Sequence, residues 1–538
     1  MHFLIATIVS SATALTPPSL DLVPGGASAA LVIPHVKRAS DEITQCMQGR
    51  DRAQLLLGAR PADQLRALLG LQSGVDEAGA AAVIFMTPDL QADPIYLVPV
   101  SNAADFLEAN FDPAPDGPSN ALVHSSGETM FAKELDRHVA FSRSPGLIET
   151  FAPTPGLAAM LTARMGERAS TVMARSEAIL YLSNDMLDQI AERSVQRAQA
   201  EAAMGGVAEM GAMLSPELLH AADAAIVTFN FDPLGLGVGG FLALNPGTQA
   251  GKLAKGGRNG SEAMSRLPGV PYFFAASIDI NGLGGPEVLR LLAGEGADIP
   301  EWLNNVTGVQ CAMSPSVLGI QGGLFNETVL YLETSDATSA QTFLKDQLLA
   351  IALQGDGVTA SPDWKDDVRV IEGVSVSTYE VATTFPPDDA TSQMIQAILF
   401  GRRGLNGFAG QTDGGVVITF SQRPDVFTRA VNAARGEDTL NHNVIITQMR
   451  NWLPPSSDIE IFIGIGQIGK LMNQLAGAFP IIPADALPRI DADTRPIGMG
   501  LEVSDGILEG GMVIPADVLT LVLDGVMQQI SAEFGGIE

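Results

Sequence analysis

Apolar residues in this chain fall into short runs that stop at a polar residue able to cap a helix. Ile95-Tyr-Leu-Val-Pro-Val leads into Ser101-Asn102, and Val329-Leu-Tyr-Leu leads through Glu333-Thr334 into Ser335-Asp336. Each reads as a strand followed by a helix. β-Branched and aromatic residues suit a pleated surface, and Ser, Asn or Asp satisfies the free N–H groups of a first helical turn. A second pattern joins two strands through a turn and then enters a helix. It runs from Phe131 to Phe141-Ser-Arg-Ser-Pro145, and again from Phe408 to Phe420-Ser-Gln-Arg-Pro424. The proline suits a first helical turn, where its missing N–H costs nothing. Asp413-Gly414 and Asp505-Gly506, set between apolar alternations, predict tight hairpins rather than parallel crossovers. The fold class predicted is α+β, with antiparallel sheets and helices packed on one face.

The same patterns recur in the same order, which predicts an internal duplication. Ser28-Ala-Ala-Leu-Val-Ile pairs with Tyr272-Phe-Phe-Ala-Ala-Ser-Ile, and Ile95-Tyr-Leu-Val with Val329-Leu-Tyr-Leu. Further on, Ala178-Ile-Leu-Tyr-Leu pairs with Ile459-Glu-Ile-Phe-Ile, and Gly239-Gly-Phe-Leu-Ala with Gly510-Gly-Met-Val-Ile. Two related halves follow, 27–265 and 269–538, joined by the Gly-rich stretch from Gly247 to Gly260. Copy one carries a predicted helical insert over 185–224, in which Met186, Met204, Met210 and Met213 form a stripe that reads as ordinary core.

The first residues form a short apolar stretch closed by Ala12-Thr13-Ala14 and followed by Pro17-Pro18, the pattern of a signal peptide over 1–14, although no Lys or Arg precedes it. No later stretch is long and apolar enough for a membrane span, so the expected mature protein has no transmembrane segment and is periplasmic or secreted.

Composition changes this picture by exclusion. The 538 residues hold 61 acids and 31 bases, a net charge of −30, with 46% hydrophobic and only 17% charged residues and a mean hydropathy of +0.20. A chain this apolar folds rather than staying disordered. Its negative field opposes nucleic acid, and two cysteines exclude a four-cysteine metal site. Cys46 and Cys311 read as separate core thiols rather than a disulfide. The acids read as helix caps, hairpin turns and a solvated exterior that keeps an exported protein soluble.

Several motifs point towards chemistry, and the bland reading is the stronger for each. Gly464-Ile-Gly466-Gln-Ile-Gly469 follows a predicted strand and opens a predicted helix at Ile468, as a dinucleotide fingerprint does. Its expected acidic strand end is replaced by Pro480-Ile-Ile-Pro, and the duplicate position Ser183-Asn184-Asp185 has no glycine. Gly235-Leu-Gly237-Val-Gly-Gly240 leads into a strand and reads as a turn. Gly247-Thr-Gln-Ala-Gly251-Lys252, with Lys255 and Arg258, is a truncated phosphate loop without its hydroxyl and reads as a connector. His124 beside Ser125-Ser126, and His138 after Asp136-Arg137, lack a base oriented by an acid. Asp112-Pro-Ala-Pro-Asp116 lacks the closing Glu of a calcium loop. No catalytic, cofactor-binding or metal residue is predicted, and no cofactor.

Three stretches carry a resemblance: Pro24-Gly-Gly-Ala-Ser-Ala-Ala-Leu-Val, Tyr96-Leu-Val-Pro-Val, and Pro496-Ile-Gly-Met-Gly-Leu-Glu-Val through Val513-Ile-Pro-Ala-Asp-Val-Leu. In these the chain resembles a group of uncharacterised exported bacterial proteins. The resemblance implies export and no activity. The function expected is therefore a non-catalytic binding or scaffolding role in the envelope, with an envelope or protein partner. One alternative is a carrier of an apolar or lipid ligand in a groove between the halves. The other is a carboxylate-based hydrolase, which needs two acids facing each other across a cleft.

Overall fold

The computed structural model describes residues 18–47, 61–89, 91–114, 118, 120–124, 127–153, 156–203, 215–254, 256, 263–288, 304–316, 319–350, 354–355, 358–386, 389–401, 403–478 and 490–521. The chain divides into two compact units. One holds the described residues up to Thr248 and the other spans Gln249–Leu521. The division falls inside the glycine-rich stretch, ahead of the expected boundary at 265–269. The fold is α+β, and every described strand pairing is antiparallel.

In the first unit the strands are β1 (Ala29–Ile33), β2 (Ala81–Phe85), β3 (Ile95–Pro99), β4 (Phe111–Pro113), β5 (Ala121–His124), β6 (Thr129–Glu134), β7 (His138–Ser142), β8 (Ala178–Ser183), β9 (Ala222–Asp232) and β10 (Gly235–Leu244). They lie in the order β4-β5-β6-β7-β3-β2-β1-β8-β9-β10. The second unit contains β11 (Phe274–Asp279), β12 (Val306–Ser314), β13 (Glu327–Thr334), β14 (Gln354–Gly355), β15 (Val358–Ile371), β16 (Val374–Thr384), β17 (Leu405–Thr412), β18 (Gly415–Thr419), β19 (Ile459–Ile463), β20 (Ile497–Ser504) and β21 (Ile507–Pro515). Their order is β14-β15-β16-β17-β18-β13-β12-β11-β19-β20-β21. With the two-residue β14 set aside, the second order repeats the first strand for strand. Each matched sequence pair lies on strands of equal rank: β1 with β11, β3 with β13, β6–β7 with β17–β18, β8 with β19, and β10 with β21.

Local chemistry accounts for the joints. Asn102 caps the helix Ala103–Asn110 by accepting from the N–H groups of Ala104 and Asp105, and Asp336 caps Ala337–Leu349 through Ser339 N at 3.0 Å. Pro145 and Pro424 open the helices Pro145–Thr150 and Pro424–Ala434. Asp505 and Gly506 both take positive φ, 47° and 81°, as a hairpin turn matched to strand twist requires. Glu372-Gly373 makes the same turn between β15 and β16, at 50° and 77°, with a residue pair that is no usual turn signal.

In unit two the helix Pro424–Ala434 buries Phe427 and Val431 on one face of the β13–β18 region, against Phe408 and Val417. The helix Ala337–Leu349 packs on the other face, against Leu332 and Ile418, so helices cover both faces of this region and not the one face expected. Over β11, β12 and β19–β21, Ile446 and Met449 of the helix Val444–Arg450 pack with Leu453 against Ala275, Ala312 and Phe462. Of the insert expected over 185–224 in copy one, the first part is the helix Asn184–Ala203, residues 204–214 fall outside the described residues, and the rest is the helix Pro216–His220 and the start of β9. Unit two has a helix at the place of Asn184–Ala203, Ile465–Ala478, so that element belongs to both units and is longer in the first.

Candidate functional site

Strands β11, β12 and β19 of unit two bury polar side chains beside apolar ones and leave a row of apolar side chains half-exposed. Burial alternates residue by residue along β11 and β19, and the buried side chains include polar ones: Ser277 and Asp279 on β11, Glu460 on β19, and Gln310 on β12. The half-exposed side chains are apolar: Phe274, Ala276 and Ile278 on β11, then Ile459, Ile461 and Ile463 on β19. Cross-strand pairing extends this surface to Cys311 and Met313 on β12, Met499 and Leu501 on β20, and Met512 on β21. Burial pushes the Cys311 thiol up to about 11, so it stays neutral. The face therefore carries no charge and no strong hydrogen-bonding side chain. Unit one repeats it with Leu31, Val83, Leu180 and Val227, which meet across β1, β2, β8 and β9; Leu31 is 40% exposed.

Beneath the opposite face lie buried acids held by the backbone. Just before β8, Glu177 donates its N–H to the Phe229 carbonyl at 2.9 Å, and its Oε2 accepts from Phe231 N at 3.0 Å. Just before β19, Asp458 does the same: N–H to Leu501 O at 2.7 Å, and Oδ2 accepting from Val503 N at 2.7 Å. The partners differ. Arg38 Nε lies 3.4 Å from Glu177 Oε1, whereas Asp458 faces Asp279, whose N–H donates to the Asp458 carbonyl at 2.6 Å. Burial raises both carboxyls. The Phe231 N–H and Arg38 counteract the rise at Glu177. Asp458 is pushed up to about 7 by burial, against the Val503 N–H, with Asp279 and Glu502 adding to the rise. Asp458 and Asp279 are each 5% exposed, so the pair lies in the interior rather than across a cleft.

Those residues singled out in the sequence that the structure describes make contacts within the fold. A side chain at Gly464 would meet the Tyr272 carbonyl oxygen at 2.0 Å, and one at Gly466 the Ala492 oxygen at 2.4 Å. At Gly469 it would meet Ile490 Cβ at 2.5 Å. The close approach these glycines permit is taken by the chain itself. The helix there starts at Ile465, ahead of the expected Ile468, so Gly466 and Gly469 lie inside it. Gly235 follows the β9–β10 turn, and Gly251 and Lys252 lie in the short helix Gln249–Leu253; Lys255 and Arg258 fall outside the described residues. His124 Nε2 lies 3.2 Å from the Gly70 carbonyl oxygen and His138 Nε2 lies 3.1 Å from that of Ala80. Burial lowers the His138 pKa. Ser125, Ser126, Asp116, Met204, Met210, Met213 and the apolar N-terminal stretch with Ala12-Thr13-Ala14 also fall outside the described residues, while Met186 is 1% exposed and part of the core. Among the described residues, no group of three His, Cys, Asp or Glu is placed to hold a metal ion.

No family model matches the chain, and no curated protein matches it. Among solved structures, crystal form I of TP0453 aligns over 43% of this chain and 80% of that chain, at 11% identity and a TM-score of 0.21. Crystal form IV of TP0453 aligns over 49% and 97%, at 12% identity and the same TM-score. Likenesses this slight carry no inference about fold or function.

The apolar face and the buried acids both escaped the sequence reading. Glu177 and Asp458 do stand at the same offset before the matched strands Ala178-Ile-Leu-Tyr and Ile459-Glu-Ile-Phe, and that was the available signal. The half-open apolar face was hidden because alternation shows two sides of a strand without showing which side a helix covers.

Proposed function

We propose that the protein is an exported, non-catalytic envelope protein that carries an apolar, acyl-chain-like ligand on its half-exposed sheet faces. The observation that carries this reading is the face of unit two, where Ile, Met, Phe and Leu side chains lie half-exposed while Ser277, Gln310 and Glu460 are buried behind them. A sheet face that leaves a continuous row of apolar side chains half-open favours an apolar occupant, because burying that area is the main source of free energy available. About ten methylenes laid on it would gain about 8 kcal/mol before the costs of association. Export is supported by the Ala12-Thr13-Ala14 pattern, and among the described residues no helix is long and apolar enough to cross a membrane. Duplication of one ancestral unit is supported by the shared strand order.

Native mass spectrometry of gently purified protein, followed by solvent extraction, tests the reading. Bound lipid is expected, or uptake of an added fatty acid, with Ile461→Asp and Met499→Asp each weakening uptake at least tenfold. Protein that is isolated empty and takes up no fatty acid refutes it.

A further inference from the structure

Unit one holds a second concavity, separate from the apolar face. The Gly25–Ser28 segment, Met160 and Arg164 of the helix Leu157–Arg175, Tyr181 of β8, the first residues of the helix Asn184–Ala203, and Asp223 line an open hollow of about 230 Å³. This lining is polar, with Arg164 and Asp185 solvent-exposed at its rim and Asp223 partly buried. Arg164 donates to the backbone carbonyl of Asp223 at 3.3 Å and has no carboxylate within ion-pair distance among the described residues. The side chains of Asp185 and Asp223 likewise have no hydrogen-bond or ion-pair partner among the described residues. Asn184 is already used, with its amide donating to Ala222 O at 2.9 Å.

Tyr181 is the decisive residue. It is 2% exposed, it lines the concavity, and no group among the described residues hydrogen-bonds its hydroxyl, which leaves that oxygen available to an occupant. The fold itself does not require that oxygen. Tyr181 stands four residues after Glu177; four residues after Asp458, at the same place in the second unit, is Phe462, which is wholly buried. Both Arg164 and Asp185 act electrostatically on the Tyr181 hydroxyl, after burial itself, so positive and negative groups lie close to it.

We propose that this pocket binds a free α-amino acid, with the ligand carboxylate on Arg164 and Tyr181 and its ammonium on Asp223 and Asp185. A simple anion would face two carboxylates for one guanidinium, and a simple cation would leave Arg164 and the buried hydroxyl unmatched. A molecule carrying both charges a few bonds apart satisfies all four groups, and the volume suits one smaller than a typical drug-sized ligand.

The test is calorimetric titration of the full chain with the free L-amino acids, using N-acetyl-L-alanine and L-alaninamide as single-charge controls. Saturable binding of at least one amino acid is expected, with neither control binding. Tyr181→Phe, which copies the residue of the second unit and leaves the melting temperature unchanged, should weaken binding about tenfold. Arg164→Met should weaken it about a hundredfold. The proposal is overturned if no amino acid gives saturable heat, if a single-charge control binds as tightly, or if Tyr181→Phe binds as wild type does.

Discussion

The two units use one backbone arrangement to hold a buried acid ahead of a central strand, yet they neutralise that acid differently. In the first, Glu177 has Arg38 beside it, and Ile179 occupies the position two residues further on. In the second, Asp458 has a second acid, Asp279, for a neighbour. Two residues further on is Glu460, whose carboxylate is gripped by Arg450 through Nε at 3.0 Å and Nη2 at 2.7 Å. The guanidinium has thus moved from the acid before the strand to an acid within it. A backbone carboxylate site of this kind tolerates either partner, and what changes is the charge that acts with or against the effect of burial. Beside Arg38, Glu177 retains part of its charge preference. Asp458, without a cation, is held as a neutral acid up to about pH 7.

The sharpest way to break this comparison is at Arg450. Arg450→Met should cost about 3–5 kcal/mol, because it strands the buried Glu460 carboxylate. The double variant Arg450→Met/Glu460→Ile, which copies the Ile179 of unit one, should recover most of that loss. Guanidinium unfolding midpoints decide it, and a double variant as unstable as the single one would show that the units are not interchangeable here.

A smaller effect is expected at Asp458. A folded carboxyl titrating near 7 against about 3.9 unfolded contributes stability that is complete below about pH 4 and lost as pH rises through 7. The loss is on the order of 2–4 kcal/mol, and Asp458→Asn should remove most of it, so that unfolding midpoints at pH 5 and pH 8 converge. If the variant keeps the wild-type slope, the neutral-acid assignment fails.

Arg38→Met should be milder, costing about 1–2 kcal/mol at pH 8, since the pair is partly exposed. It should cost less at pH 5 than at pH 8, because burial raises the Glu177 pKa and a carboxyl that gains protons as pH falls depends less on the guanidinium. Equal losses at both values would mean that Arg38 acts by packing alone.

Much of this architecture was legible in the chain. The caps Asn102 and Asp336, the helix-opening prolines 145 and 424, and the Asp505-Gly506 turn are local chemistry, and local chemistry shows in a sequence. The strand order needed more. Hairpin signals give neighbours along the chain, but the pairing of β1 with β8, or of β11 with β19, spans long stretches and leaves no local mark. The Glu372-Gly373 turn was missed because glutamate rarely adopts positive φ, and the strands on either side impose it. The glycines at 464, 466 and 469 illustrate the opposite error. Their spacing invites a phosphate, and only the positions of Tyr272, Ala492 and Ile490 reveal that the space is already filled.

The half-open apolar faces have a colloidal consequence. At neutral pH a charge of −30 keeps molecules apart, so faces that would otherwise adhere rarely meet. Near the isoelectric point of about 4.4 that repulsion vanishes, while the buried acids favour the folded state. Mild acid should therefore bring out the protein's strongest tendency to self-associate, and an occupant covering the faces would suppress it while stabilising the folded state by mass action.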